Sequence, residues 1–335
     1  VKSAAHPPLL SVSRLSVHLP TEEGWVRTVD GVSFTLDHGR TLAVVGESGC
    51  GKSMLCRAIP RLLPFRARTD QESRILFEGR ELGVMKERAL NAIRGREIGM
   101  IFQDPMTSLN PVLKVGIQIG ESLEHHLNLG RRQALARAAK LLKETGVDSP
   151  EQRMSHYPHQ LSGGQRQRAA IAMALACAPK LLIADEPTTA LDVTVQAEIL
   201  RLLNRRRVQG NMAMIFVSHD LSVAAGLAHE IAVMYAGKFV EMAPAPKFFE
   251  RARHPYARAL LDSVPRPRDP PHTILKEIGG QPPSPMDSHP GCPFAPRCPR
   301  ARSRCPEEEP PLKSHEEENH QYACWNPVPR NGRGS

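Results

Sequence analysis

Eight consecutive residues, Gly46-Glu47-Ser48-Gly49-Cys50-Gly51-Lys52-Ser53, constrain this 335-residue chain more than any other stretch. They fit G-x-x-x-x-G-K-S. Glycines let the backbone bend so that successive N–H groups converge on phosphate oxygens. Lys52 brings a cation to the β and γ phosphates and Ser53 offers a hydroxyl to Mg²⁺. A helix that follows turns its positive end to the anion. The context is the required one. Thr41 to Val45 reads as a short buried strand ending at Gly46, and Met54 to Leu63 as a helix stopped by Pro64. Cys50 leaves two readings open, a redox role or simply a small permissive side chain.

Two carboxylates lie downstream. Leu181 to Glu186 reads as an apolar strand ending in Asp185 and Glu186. Beside a phosphate loop, Asp185 is placed to hold Mg²⁺ through water and Glu186 to polarise an attacking water. The alternative is a strand ending in solvated acids. Leu161-Ser162-Gly163-Gly164-Gln165 precedes a run of helical length. Ser162 is a good helix cap, and two glycines leave N–H groups bare at a helix start, a second anion site. The alternative is an ordinary helix start. One nucleotide needs one such site, so two in one chain point to a dimer in which the second completes the partner's first. Gln103 and His219 each follow a short apolar strand, Ile98 to Phe102 and Met212 to Ser218. Gln103 can reach Mg²⁺ or water through its amide oxygen and His219 a γ-phosphate, although in isolation each is also an ordinary polar strand end.

The strand–helix–strand order from Lys180 to Val217 argues for parallel βαβ units. From Val112 to Gly146 the period is helical: Leu135, Ala138, Ala139 and Leu142 share a face, and Gly146 sits where a helix ends. The stretch therefore reads as a helical insertion. Ile231 to Met242 reads as a hairpin turning at Ala236-Gly237. The charge of +9 invites nucleic-acid or anionic-membrane readings. Aromatics at 4% are poor material for base-stacking platforms. The longest apolar run, Ala169 to Ala178, is about half of what a spanning helix needs. Val1 to Leu10 holds one Lys and no apolar stretch, so no secretory signal is expected.

Together these motifs resemble the ATP-binding subunits of ABC transporters. Gly46–Ser53 is similar to their Walker A, Gln103 to the Q-loop, Leu161–Gln165 to the signature and Leu181–Glu186 to Walker B. Ala190-Leu191-Asp192 is similar to the D-loop and His219 to the switch histidine. Gln103 to Pro111, Tyr157-Pro158-His159-Gln160 and His254-Pro255-Tyr256 resemble the dipeptide, oligopeptide and nickel importers within that family. The resemblance implies an α/β fold: a P-loop ABC-type ATPase core with mixed β-sheet, a helical insertion subdomain and a Pro/Cys-rich C-terminal extension. The expected nucleotide-binding domain is 8–265, with its helical part at about 106–178, and the extension is 266–335. The implied reaction is ATP hydrolysis coupled to import of di- or oligopeptides; nickel complexes or glutathione are alternative cargoes. A soluble ABC-type ATPase acting on nucleic acid is the rival reading. Implied partners are a second ATPase bound head-to-tail, two membrane permeases and an extracytoplasmic binding protein, with no specific nucleic acid. The implied place is the cytoplasmic face of the bacterial inner membrane. Family members stack an aromatic on adenine, and Trp25 is the only large aromatic between residues 10 and 33.

The tail is made of different material. Four of the seven Cys, Cys292, Cys298, Cys305 and Cys324, lie beyond residue 290, and 19 of the 30 Pro lie from Pro244 onward. Four thiols in an irregular segment suggest a metal staple. Zinc commonly takes C-x₂₋₄-C pairs, and none occurs. An iron–sulfur cluster accepts looser spacing, and some of the resembling ATPases hold a [4Fe–4S] cluster there. The expectation is therefore a cluster on these four residues, with zinc or no metal as the alternatives.

Overall fold

Strands that are apolar at every position must be covered on both faces, which in practice means a parallel sheet interior. Thr41–Val45, Leu181–Asp185 and Ala213–Ser218 are buried at every residue. The structure is a computed structural model that describes residues 7–104, 108–189, 191–264, 277–284, 286–287, 289–314 and 319–329. Pro105, Met106 and Thr107 of the Q-loop stretch, Ala190 of the D-loop and the first six residues lie outside the described residues.

The chain divides into two compact units. One takes in Val1–Ser11, Thr35–Arg40 and Leu76–Val217. Its strands Ile98–Ile101 and Leu181–Asp185 pair in parallel from Ile98↔Leu181 to Ile101↔Ala184. Leu181–Asp185 pairs in parallel with Ala213–Ser218 from Leu181↔Ala213 to Asp185↔Val217. The return from Asp185 runs through the 18-residue helix Val193–Gly210. The return from Ile101 runs through a helical layer that includes Val115–Leu127, Arg131–Glu144 and Gly163–Ala174. These close over a shared apolar core that includes Ile119, Leu123, Ala138, Leu142 and Ala169. The buried face of Arg131–Glu144 is Ala134, Ala138, Leu141 and Leu142, an i, i+4, i+7, i+8 stripe. Leu135 and Ala139 sit half-buried at its margin, so the stripe is rotated by one residue from the one read in the sequence. Gly146, at φ 78°, ends this helix. Its N–H donates to Lys143 O, and Val147 N–H to Leu142 O at 2.9 Å, a Schellman closure.

The other unit takes in Val12–Phe34, Thr41–Ile75 and Ser218–Ser335. Thr41–Val45 pairs in parallel with Glu230–Tyr235. That strand turns back antiparallel through Lys238–Pro244. The hairpin turns at Ala236 and Gly237, both at positive φ (46° and 81°), as a type I′ turn requires. The C-terminal region adds to this hairpin. Gln321–Tyr322 pairs with Lys238–Pro244 and with Lys313–Ser314. Phe294 is 1% exposed in a core shared with Tyr235, Val240, Phe248 and Tyr256. The fully buried Glu241 carboxylate accepts the N–H groups of Arg253 and His254, and His320 Nε2 lies 2.7 Å from it.

This packing corrects the metal expectation. Among the described residues no group of three or more His, Cys, Asp or Glu stands where it could hold a metal ion. Neither an iron–sulfur cluster nor zinc is therefore assigned to Cys292, Cys298, Cys305 and Cys324. The four thiols do share one recess with Phe294 and Trp325, but its free volume is about 10 Å³, room for barely one water. Burial pushes Cys292 up to about 11 and Cys324 up to about 12, and raises Cys298. A metal ligand must be a thiolate, and this apolar setting disfavours that form. The cysteines pack as small apolar side chains, and the tail is stapled by aromatic burial and strand pairing instead.

Candidate functional site

The phosphate loop sits in the second unit. Gly46 and Gly51 are required where they are. Gly51 has φ 107°, and a Cβ there would lie 2.1 Å from Thr28 O; at Gly46 (φ 152°) it would lie 2.2 Å from Met234 O. Lys52, buried at the start of the helix Lys52–Ala58, donates its ammonium to Gly46 O and Glu47 O, both at 2.8 Å. The ammonium is thereby held inside the curve of the loop. Ser53 follows it in the first turn. Cys50 is 8% exposed and burial raises its thiol, so it is the small permissive residue rather than a reactive one. Its carbonyl accepts Gly237 N–H at 2.9 Å. Ser48, Gly49 and Cys50 line a cleft of about 740 Å³ with Glu47, Trp25 and Gly237, within the range of small-molecule sites. The cradle of N–H groups around a fixed cation fits a triphosphate. Trp25 is half exposed at the head of strand Gly24–Leu36, and the Arg68 guanidinium stands 4.4 Å from its ring centroid. His219 is exposed at the end of Ala213–Ser218. The next residue, Asp220, caps the helix Leu221–Leu227 by accepting Ser222 N–H at 2.8 Å.

The carboxylates sit in the first unit. Asp185 ends its strand with no exposure at all. Glu186 has φ 48°, a left-handed conformation rare for a residue with a long side chain and typical of functional sites. Its N–H donates to Val217 O at 3.2 Å. Its carboxylate accepts Thr189 Oγ1 at 3.0 Å and Gln103 Nε2 at 3.3 Å. Gln103 and Glu186, read separately in the sequence, are thus in contact. Ser162 caps the helix Gly163–Ala174: its Oγ accepts Gln165 N–H, and Gln165 Oε1 accepts Ser162 N–H. This capping box leaves Gly163 with open space at its Cβ position, while Gly164 faces Leu191 at 3.5 Å. Asp192 caps the helix Val193–Gly210 by accepting Val195 N–H at 2.9 Å.

Three residues were given no role in the site by the sequence reading. Gln167, 1% exposed, donates to Pro187 O at 2.7 Å and ties the helix after Ser162 to the loop after Glu186. Thr189 holds Glu186 as described, and Tyr256 OH accepts Glu47 N–H at 2.8 Å. Their partners lie 20, 3 and 209 residues away in sequence. Only Thr189, three residues from Glu186, was locally visible.

Residues 29–189 match the family described as ABC transporter. Residues 240–305 match the oligopeptide/dipeptide transporter C-terminal region. A probable peptide ABC transporter ATP-binding protein of Sinorhizobium fredii is 47% identical over 95% of this chain and 94% of its own length. The dipeptide transport ATP-binding protein DppD of Bacillus subtilis is 45% identical over the same shares. The oligopeptide transport ATP-binding protein OppD of Salmonella typhimurium is 45% identical over 96% of this chain and 94% of its own. Among solved structures, an ATP-binding cassette dimer in a post-hydrolysis state bound to ADP and Pi is similar with a TM-score of 0.65. It is 26% identical and covers 70% of this chain and 98% of its own.

Proposed function

The chain belongs to the ABC transporter family, in the branch carrying the oligopeptide/dipeptide transporter C-terminal region, and on that premise we propose how its residues power the import of di- or oligopeptides. It is an ATP-hydrolysing subunit of a peptide importer. Lys52 and the N–H groups of Gly46 to Ser53 hold the phosphates, and Trp25 is the adenine platform. Ser53, Asp185 and Gln103 are hard oxygen donors, the set Mg²⁺ prefers, and the ion supplies charge neutralisation of the β and γ phosphates when bound. Glu186 orients and polarises the attacking water, with His219 as the γ-phosphate sensor. Ser162 to Gln165 and Asp192 act on the nucleotide of a second ATPase, bound head-to-tail. The exposed helix start at Ser162 and the dimeric form of the solved relative support this arrangement. Among the described residues no helix is long and apolar enough to cross a membrane. The likeness to transport ATP-binding proteins supports a peripheral place at the cytoplasmic face of the bacterial inner membrane. There it serves two permeases fed by an extracytoplasmic binding protein.

The observation that carries this reading is the placement of Glu186. It follows a fully buried strand, is turned by its positive φ, and is held by Gln103 and Thr189. Glu186→Gln keeps nucleotide binding and loses ATP turnover in the assembled transporter by at least about 10²-fold, the low end for general-base removal. Unchanged turnover would overturn the assignment.

A further inference from the structure

Glu47 is an unwelcome residue for a phosphate loop. It puts a carboxylate beside the place where a triphosphate binds, and like charges there oppose binding. The structure shows what offsets it. Arg297, from the C-terminal region, forms a forked pair with Glu47: NH1 donates to Oε2 at 2.7 Å and NH2 to Oε1 at 2.9 Å. The other three donors are also used. Nε donates to Gly279 O at 2.9 Å, NH2 to Ile278 O at 3.1 Å and NH1 to Tyr235 OH at 3.2 Å. All five N–H groups of the guanidinium are therefore satisfied, on a side chain only 4% exposed. Glu47 is pinned at its backbone too, by Tyr256 OH.

A guanidinium so fully engaged is fixed, and it fixes what it holds. From this we propose that Arg297 is a positioning residue for ATP. Through Glu47, the C-terminal region neutralises and orients the phosphate loop, so this extension is part of the nucleotide site rather than an appendage to it. The same region faces the loop across the cleft with Pro282, Met286 and Pro293. This rests on the ATP-binding reading above.

The test uses the full chain, with trinitrophenyl-ATP as the binding probe and Mg·ATP kinetics in the assembled transporter. Arg297→Met leaves Glu47 charged and unpaired. Affinity for the probe falls on the order of tenfold, the usual size of coupling between two groups. KM for ATP rises in step while kcat stays nearly constant. Adding Glu47→Gln to Arg297→Met removes the stranded charge and restores most of the affinity. Arg297→Lys keeps the charge without the fork, loses less than Arg297→Met, and carries the test alone if the methionine variant does not fold. Unchanged affinity in the Arg297 variants, or a loss that Glu47→Gln does not recover, overturns the proposal. A failure of the underlying reading looks different: the wild-type chain then gives no probe binding at all.

Discussion

Replacing Phe294 with Ala removes the side chain that seats the C-terminal region. Phe294 is 1% exposed. Its ring centroid lies 5.4 Å from that of Tyr235, 5.3 Å from that of Tyr256 and 6.0 Å from that of His254. Truncating a buried Phe costs about 3–5 kcal/mol from lost transfer energy and the cavity left behind. The neighbouring rings are already fixed, Tyr256 by Glu47 N–H, Tyr235 by Arg297 and His254 by Tyr256 N–H, so the cavity cannot collapse cheaply and about 4 kcal/mol is expected. At an m-value of about 2–3 kcal/mol per molar urea, the midpoint falls by about 1.5 M. Trp325 reports the transition, because its Nε1 donates to Glu308 O and Arg304 stacks over its ring within the same region. One control accompanies the measurement. A strong chelator added to the wild-type chain leaves the midpoint where it was, since aromatic burial and not metal holds the tail. A Phe294→Ala shift below about 0.3 M, or a chelator effect of the same size as the mutation, refutes the reasoning.

Gly51→Ala forces a Cβ to 2.1 Å from the Thr28 carbonyl at φ 107°. The loop must distort, and trinitrophenyl-ATP binding falls by at least about tenfold, a cost of order 1–3 kcal/mol in strain. Gln167→Ala leaves Pro187 O without its buried donor, a penalty of about 1–3 kcal/mol. ATP turnover drops more than ATP binding, which single-turnover and equilibrium-binding measurements separate. Stability is acid-sensitive in two windows. Burial lowers His254 from 6.5 to about 3. Between those values the unfolded chain takes a proton the fold refuses, so stability falls as pH drops below 6.5. Glu97, held by Arg80 and then by Lys180, is lowered from 4.5 to about 2, so its contribution, full above 4.5, is lost as pH falls toward 2. Urea midpoints from pH 7.5 to 4 check the first window; a midpoint constant between pH 7 and 5 contradicts it.

The phosphate loop, the acidic strand end and the capped helix at Ser162 were legible because their determinants are contiguous. A strand, a glycine turn and a helix start are chosen by residues a few positions apart. The helical layer was legible as periodicity, although its face was read one residue off. Leu135 and Leu142 both look apolar, and only the neighbouring helices decide which flank is covered. The cysteines were misread for a related reason. Spacing records which thiols lie near in sequence, but not whether they meet in a polar pocket with room for an ion or in a closed apolar recess.

By itself, then, the sequence determined three local features, each written in one short segment: a glycine-rich turn around Lys52, a buried strand ending at Asp185 and Glu186, and a helix capped by Ser162. Tertiary structure alone decided what the tail touches. Glu47 and Arg297 are 250 residues apart, and nothing local to either announces the other. A fork–carboxylate pair is selected by a meeting of surfaces. That meeting depends on Phe294 entering the core, on Tyr235 and Tyr256 lining the approach, and on the hairpin that accepts Gln321–Tyr322. Contacts of this kind carry no sequence period, so only the folded chain shows that its last segment reaches back to its first motif.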